Sequence, residues 1–271
     1  MKYIVAVSGG VDSVVLLDMM AASDADIIVA HFDHGIREES AEDAAFVAAL
    51  ARHYEVPFEV RREELGEQAS EAFARERRYL FLRELAEKYD ARIMTAHHLD
   101  DLVETVAINA TRGTGWRGLA VFQGQVVRPL IAYEKEELIE YANQKGLQWR
   151  EDSTNASEAY LRNRIRKKSH HLSEDEKRQL HALHTQQKSL RNEIEAAAKS
   201  LVGSGPKYSR YLFITLPTKV ALECLWGVTR GALTRPQLAR LLHAIKTARP
   251  NTTYQAKSGL NIRFSTRYFT L

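Results

Sequence analysis

One cysteine, Cys224, occurs in 271 residues. That excludes an internal disulfide framework and any zinc site built on cysteine pairs. Its neighbours Leu222, Leu225 and Trp226 are apolar, so it reads as a buried structural thiol rather than a nucleophile. Long hydrophobic runs are missing as well. No stretch approaches the length that a membrane-spanning helix needs. The apolar run after Met1-Lys2, Tyr3–Val7, is too short for a signal-peptide core and passes straight into glycines and an aspartate. The expectation is a cytoplasmic protein with no membrane partner. Acids are scarce in one region only. Residues 201–271 hold 11 Lys and Arg against a single acid, Glu223, whereas the first 200 residues hold 27 basic and 34 acidic residues. The formal charge of +3 therefore hides a basic tail on an acidic body. A compact basic segment is the electrostatic footprint of a polyanion binder. Mere solubilisation would not need so one-sided a balance.

The apolar fraction of 45% is enough for a core, and its periodicity shows how that core is arranged. Tyr3–Val7, Asp26–Phe32, Pro57–Arg61 and Arg92–Ala96 read as strands, and Val126–Arg128 as a further short one. Between them Val11–Ala22, Ala41–Tyr54, Gln68–Lys88 and Asp100–Thr111 have helical spacing, followed by Glu134–Lys145, which Gly146 ends. Such alternation predicts an α/β fold with a parallel sheet covered on both faces. After residue 172 the pattern changes. Ser173 caps a long polar helix with acids in its first turn, running to about Ser200. Gly203-Ser204-Gly205-Pro206 is a linker signal. An apolar run at Tyr211–Leu216, helices near Thr218–Trp226 and Arg235–Lys246, and strands in Tyr254–Leu271 complete a small basic α+β domain. The expected division is 1–172, a helical linker 173–202, and 203–271.

Ser8-Gly9-Gly10-Val11-Asp12-Ser13 joins the first strand to the first helix. Two glycines let the backbone fold tightly and present N–H groups to an anion, and the helix adds the positive end of its dipole. Ser8 and Ser13 supply hydroxyls. A carboxylate such as Asp12 makes sense beside phosphates if it helps to hold magnesium. A Walker loop would carry Gly-Lys-Ser/Thr, and this loop has no lysine. The three glycines of a dinucleotide fingerprint are absent too. A plain glycine-containing turn would account for two glycines but not for all six residues in this setting.

The run resembles the PP-loop of the N-type ATP pyrophosphatases, which split ATP between the α- and β-phosphates. Further motifs resemble the tRNA(Ile)-lysidine synthetase branch of that family. They are Phe32-Asp33-His34-Gly35-Ile36-Arg37, Ala74-Arg75-Glu76-Arg77-Arg78-Tyr79, the stretch Thr95–Thr105 with His97-His98-Leu99-Asp100-Asp101 and Glu104, Arg112-Gly113-Thr114-Gly115, Gly118-Leu119, Arg128-Pro129-Leu130, Trp149, Asp152-Ser153-Thr154-Asn155 and Arg162-Asn163-Arg164-Ile165-Arg166. The likeness covers about residues 1–170 and is looser beyond Ser173.

Elementary chemistry agrees with these positions. Asp33, His34, His97, Asp100 and Asp101 follow strands, where open α/β sheets bind ligands. Asp101 and Glu104 share a helix face and could hold the amine of a free lysine or a metal; helix capping is the plainer role for Asp100 and Asp101. Neighbouring His97 and His98 should point apart, one towards phosphates and one into packing. Arg78 and Arg112 suit phosphate or carboxylate groups. Arg75 and Arg77 read equally well as surface ion-pair partners. Arg162, Arg164 and Arg166, in a stretch without acids, suit an RNA backbone.

The resemblance implies an ATP-dependent carbon–nitrogen ligase acting with magnesium. Its substrates would be the wobble cytidine of the CAU-anticodon isoleucine tRNA and free L-lysine. Asp33, Arg78, Asp101 and Glu104 would be catalytic. Residues Ser8, Gly9, Gly10, Val11, Asp12 and Ser13, with Ala30, Phe32, His97, Arg112 and Gly113, would bind ATP, and Asp12 the metal. His34, Arg37, Asp100, Arg162, Arg164 and Arg166 would meet substrate or tRNA. Residues 203–271 would grip the tRNA, although longer relatives carry more there. The rival readings are a tRNA-thiolating pyrophosphatase, a small-molecule synthetase and a non-catalytic RNA-binding protein. Oligomeric state is open, a dimer included.

Overall fold

The computed structural model describes residues 1–35, 40–66, 69–150, 165, 172–257 and 259–271. They divide into two compact units, Met1–Thr185 and Gln186–Leu271.

The first unit is built on four parallel strands in the order β3-β2-β1-β4. These are β1 (Lys2–Ala6), β2 (Asp26–Asp33), β3 (Phe58–Arg62) and β4 (Arg92–Met94). Helices α1 (Val11–Ala21), α2 (Ser40–His53) and α3 (Glu71–Lys88) make the crossovers. α4 (Leu99–Thr111) and α5 (Lys135–Lys145) follow β4. Side chains alternate across a strand, so each strand feeds two cores. Val5, Val7, Ile27 and Val29 pack with Val15, Leu16, Val47 and Leu138 from α1, α2 and α5. Ile4, Ile28, Ala30 and Phe32 pack on the other face with Phe81, Leu82 and Leu85 of α3. A third cluster joins Leu99, Leu102 and Val106 of α4 to Val121.

Chain direction makes one feature of this sheet functional. From β1 the chain steps outward to β2 and β3, then returns to lay β4 on the other side of β1. The strand order therefore reverses between β1 and β4, and the C-terminal strand ends at such a switch point are where open α/β sheets take ligands.

Several boundaries differ from the periodicity, each for a local reason. α3 begins at Glu71 because Ser70 Oγ accepts the Phe73 N–H (3.2 Å) as a cap. β4 stops at Met94, and the expected strand at Val126–Arg128 amounts to a single parallel bridge between Met94 and Val127. Gly146 ends α5 in the left-handed region (φ 65°), as glycine readily does.

The boundary between the units falls within α6 (Glu174–Val202). In the second unit an antiparallel sheet, β5-β8-β7-β6, is formed by β5 (Lys207–Ser209), β6 (Thr253–Lys257), β7 (Leu260–Phe264) and β8 (Tyr268–Thr270). It shares a core with α7 (Arg210–Thr215), α8 (Thr218–Val228) and α9 (Arg235–Thr247), centred on Phe213, Leu225, Leu241 and Phe269. Cys224 lies in that core, and burial raises its thiol pKa. Arg210 is buried too, its guanidinium donating to the carbonyls of Ile245 (2.9 Å), Ser265 (2.9 Å) and Ala248 (2.8 Å). No helix among the described residues is long and apolar enough to cross a membrane.

Candidate active site

The loop Ser8–Ser13 closes the C-terminal end of β1. Gly9 has φ +97°, a conformation that costs an L residue, and a Cβ there would sit 3.4 Å from the Phe46 ring. The tight turn brings the N–H groups of Ser8 (3.1 Å) and Gly9 (3.2 Å) onto Ser13 Oγ, which donates in turn to the Gly10 carbonyl (2.8 Å). Ser13 therefore holds the loop together from inside. The N–H groups of Val11 and Asp12 at the start of α1 donate to no such partner among the described residues and lie at the positive end of the helix dipole.

Asp12 is in the first turn of α1, and its carboxylate reaches out of the loop. Lys135 Nζ lies 2.5 Å from Asp12 Oδ1, and His98 Nε2 lies 3.8 Å from Oδ2. His98 follows β4 and is 4% exposed. Its ring stands 3.4 Å from Asp100 Oδ2 and 3.5 Å from Asp101 Oδ2, at ion-pair rather than hydrogen-bond separation. Burial disfavours the imidazolium, but the carboxylates of Asp100, Asp101 and Asp12 outweigh it and raise the His98 pKa. Asp101 also accepts the His98 backbone N–H (3.0 Å), so it caps α4.

Asp100 anchors a second layer. It accepts the Lys135 backbone N–H (3.0 Å) and pairs with Lys177 Nζ (2.8 Å), which also donates to Glu134 Oε2 (2.7 Å). Burial acts against the charged carboxylate, yet His98, Lys177 and the Lys135 amide hold its pKa far below the usual range. Lys177 is 6% exposed, and its two carboxylates outweigh the desolvation that would lower its pKa, so it stays charged. Glu104 is buried one helical turn beyond Asp101.

His97 faces a different group. Its Nδ1 meets Thr95 Oγ1 (2.8 Å), its Nε2 lies 3.5 Å from an Arg75 nitrogen, and its ring lies against Phe122 (5.2 Å). Burial, reinforced by Arg128, Arg75 and Arg78 and only partly opposed by Asp101, lowers its pKa to about 3. Arg75 and Arg78 flank the Tyr79 ring (4.9 and 6.0 Å), and Arg128 lies over Phe122 (4.5 Å). The result is a cationic, aromatic wall.

On the far side of β1, Asp33 ends β2 and is 3% exposed. It accepts the Gly35 N–H (2.8 Å) and faces Arg62 (3.5 Å). His34 packs edge-on against Phe32 (4.9 Å). The side chains of Ala30 and Phe32 belong to the core, and the Ala30 carbonyl accepts the Val7 N–H (2.9 Å). Arg112 is exposed at the end of α4, and Gly113 continues the turn with φ +65°. Arg77 makes a bidentate pair with Glu63 (2.7 and 2.9 Å). Arg37, Arg162, Arg164 and Arg166 lie outside the described residues.

The structure thus brings Asp12, Asp100 and Asp101 together around His98, and sets Arg75, Arg78 and His97 beside one another. Asp33 instead pairs with Arg62, and Arg112 is exposed. Sequence reasoning passed over Lys135, Glu134 and Lys177. In the sequence Lys135 and Glu134 mark only the start of a helix, and Lys177 is one charge on a polar one. No local pattern marks a side chain whose partner lies 123 positions away.

Over 171 residues the chain is 45% identical to a Thermus thermophilus protein named tRNA(Ile)-lysidine synthase, the match covering 60% of this chain and 34% of that one. An Exiguobacterium sibiricum protein of the same name is 41% identical over 170 residues, covering 60% and 41%. The chain spans 34–42% of the length of such curated relatives. Among solved structures, a U34-tRNA thiolase from Methanococcus maripaludis is similar in fold, with a TM-score of 0.59 at 16% identity, covering 70% of this chain and 71% of that one. Residues 1–172 match the PP-loop domain model, and the chain belongs to that family.

Proposed function

We propose that the chain is a tRNA(Ile)-lysidine synthetase, an ATP-dependent carbon–nitrogen ligase of the cytoplasm. The observation that carries the reading is the convergence on three adjacent strand ends of an anion-binding loop (β1), the carboxylate of Asp33 (β2) and the Asp100-Asp101 turn (β4). Relatives bearing that name share 38–45% of their residues with this chain over the aligned part.

In this reading ATP lies with its phosphates on Ser8–Ser13 and its adenine against the backbone of Ala30–Phe32. The 2-carbonyl oxygen of the wobble cytidine attacks the α-phosphorus, and the bond to the leaving pyrophosphate breaks. The ε-amine of lysine then bonds to that ring carbon. The carbon–oxygen bond breaks, AMP leaves with the oxygen, and the amine's proton passes to a base, Asp33 or Asp101. Lysidine reads AUA in place of AUG. Asp101 and Glu104 bind the lysine substrate, while Arg78 and Arg112 bind phosphate or carboxylate groups. His97, held neutral, adds no further cation to the arginine wall. The cytidine must be splayed out of its loop to enter, as single-stranded RNA allows.

Asp12 suits magnesium. It is a single hard carboxylate, 28% exposed, at the mouth of the loop. No group of three or more His, Cys, Asp or Glu side chains among the described residues is arranged to hold a metal ion by itself, and magnesium commonly takes most of its ligands from phosphate and water. Bound there, it would offset charge on the phosphate oxygens.

Residues 1–172 would be the catalytic domain, 173–202 a helical linker and 203–271 the tRNA grip. A thiolation reaction resting on cysteine gains no support, because Cys224 is 1% exposed in the second unit's core. The test is to incubate an unmodified CAU-anticodon isoleucine tRNA with the protein, ATP, magnesium and radiolabelled lysine, and then to analyse the nucleosides. ATP-dependent label in a modified cytidine is the expected result. ATP cleavage to AMP and pyrophosphate on adding tRNA, with no label incorporated, would retain the chemistry and reject the lysine or the tRNA.

A further inference from the structure

Between Gly9 and Gly10 lies a peptide bond that should turn easily, because neither residue has a side chain to resist rotation. Its orientation matters for an anion. A trans peptide points its N–H and its C=O in opposite directions. Turned one way, it offers the Gly10 N–H to a phosphate. Turned the other way, it offers the Gly9 carbonyl oxygen, which repels one.

Two bonds fix Gly9 from either side. Its N–H donates to Ser13 Oγ (3.2 Å), and its carbonyl accepts the backbone N–H of Arg150 (3.0 Å). The Gly10 N–H then faces away from Arg150. It reaches Ser8 Oγ at 3.4 Å, too long for a strong bond, and in an exposed position. It stays available to a ligand beside the N–H groups of Val11 and Asp12.

Arg150 ends a short strap that leaves α5. Gly146 turns the chain, and Leu147 and Trp149 pack against the core of α1, α2 and α5. The guanidinium of Arg150 grips the first turn of α2, with Nη2 2.9 Å from Glu42 Oε2 and Nε 2.5 Å from Asp43 Oδ1. From the same helix the Phe46 ring closes on Gly9. Gly9 is thus held between α2 and the strap, and one residue ties the two together. A surface ion pair alone would need no main-chain bond to the loop.

We propose that Arg150 is a positioning residue for ATP: its main-chain N–H latches the Gly9–Gly10 peptide with the N–H turned towards the phosphates, and its guanidinium holds that latch against α2. The proposal rests on the ATP-dependent reading above. In this role Arg150 itself touches no phosphate.

The test titrates ATP calorimetrically into the full chain without RNA and follows urea unfolding on the same preparations. Arg150→Ala loosens the strap and should weaken ATP binding about fivefold, while Arg150→Lys, which keeps a cation for Asp43, should recover most of that loss. Arg150→Pro removes the N–H as well and should lose about a further tenfold. Glu42→Gln/Asp43→Asn should weaken ATP binding as Arg150→Ala does, and combining the two sides should cost little more, because they form one clamp. A through-space charge effect gives the opposite sign on the acidic side, where neutralisation would tighten ATP binding, and that result would overturn the proposal. So would additive losses from the two sides, no recovery in Arg150→Lys, or variants that lose stability yet bind ATP as the wild type does. If Arg150→Pro does not fold, the alanine and lysine variants and the acidic pair still decide. If the wild-type protein binds no ATP, the ATP-dependent reading fails first and the latch with it.

Discussion

Lys177→Met is the most informative single perturbation of the first unit's framework. The ammonium sits between Asp100 (2.8 Å) and Glu134 (2.7 Å), whose side chains keep only 21% and 12% exposure. Methionine retains most of the apolar stem, so packing changes little. What changes is the charge, because two carboxylates are left partly buried without their shared cation. Breaking a buried pair typically costs 3–5 kcal/mol. Residual solvent access puts this case at the lower end, about 3 kcal/mol. Arg178→Ala is the internal control. Its pair with Glu174 is 64% and 73% exposed, and losing it should cost under about 1 kcal/mol. Urea unfolding would be read in a Trp226→Phe background, so that fluorescence comes from Trp116 and Trp149 of the first unit. The sign of the pH effect follows from Asp100. Its pKa is depressed in the folded state, so its stabilisation is present above the ordinary carboxylate pKa of about 3.9 and is lost as pH falls further towards the folded value. The gap between wild type and Lys177→Met should therefore narrow below about pH 4. Equal stability of Lys177→Met and Arg178→Ala, or a gap unchanged from neutral to acid pH, would refute the argument.

Adjacent histidines should titrate in opposite senses. In NMR the His97 ring should stay neutral throughout the range of about pH 5–8, while His98 should lose its proton above the ordinary histidine pKa of about 6.5. A His97 transition near neutrality would contradict the burial and arginine wall assigned to it. The charge on His98 stabilises the fold below that ordinary value, and this contribution should fade as pH rises through its elevated folded pKa. Gly9→Ala should cost about 1–2 kcal/mol from its left-handed backbone and should also weaken ATP binding, both measurable on one preparation. Asp101→Asn and Glu104→Gln should each reduce lysine-dependent turnover while leaving ATP binding in place; full turnover in both would remove the lysine site from α4. Deleting residues 203–271 should weaken tRNA binding in a filter assay and spare ATP binding, and unchanged tRNA affinity would remove the grip from that segment.

The parallel sheet and its loop were legible because their signals are local. A buried strand, two glycines, two serines and an apolar helix occupy the first 21 residues, and the backbone they need follows from their chemistry. The carboxylates after β4 were legible for the same reason, since a strand end followed by His-His-Leu-Asp-Asp marks both a helix start and a ligand edge. What those groups touch was not. Asp100 offers two oxygens that could serve substrate or structure, and only the fold shows them committed to Lys135, Lys177 and His98. Nor could spacing decide which of two neighbouring histidines would face the loop.

Charge counting has the same limit. The second unit's basic excess is a property of the sequence, but Arg210 contributes to it from a buried site with three carbonyl partners, so it is part of the scaffold rather than of a polyanion-binding surface. The converse holds in the first unit. Its acidic balance would suggest a surface that repels RNA, yet several of its carboxylates are consumed internally by Lys135, Lys177 and Arg77. A net-negative domain can therefore present a cationic wall of Arg75, Arg78 and Arg128 around Tyr79 and Phe122. Ion pairing in three dimensions decides which charges a ligand meets, and the sum over the chain does not.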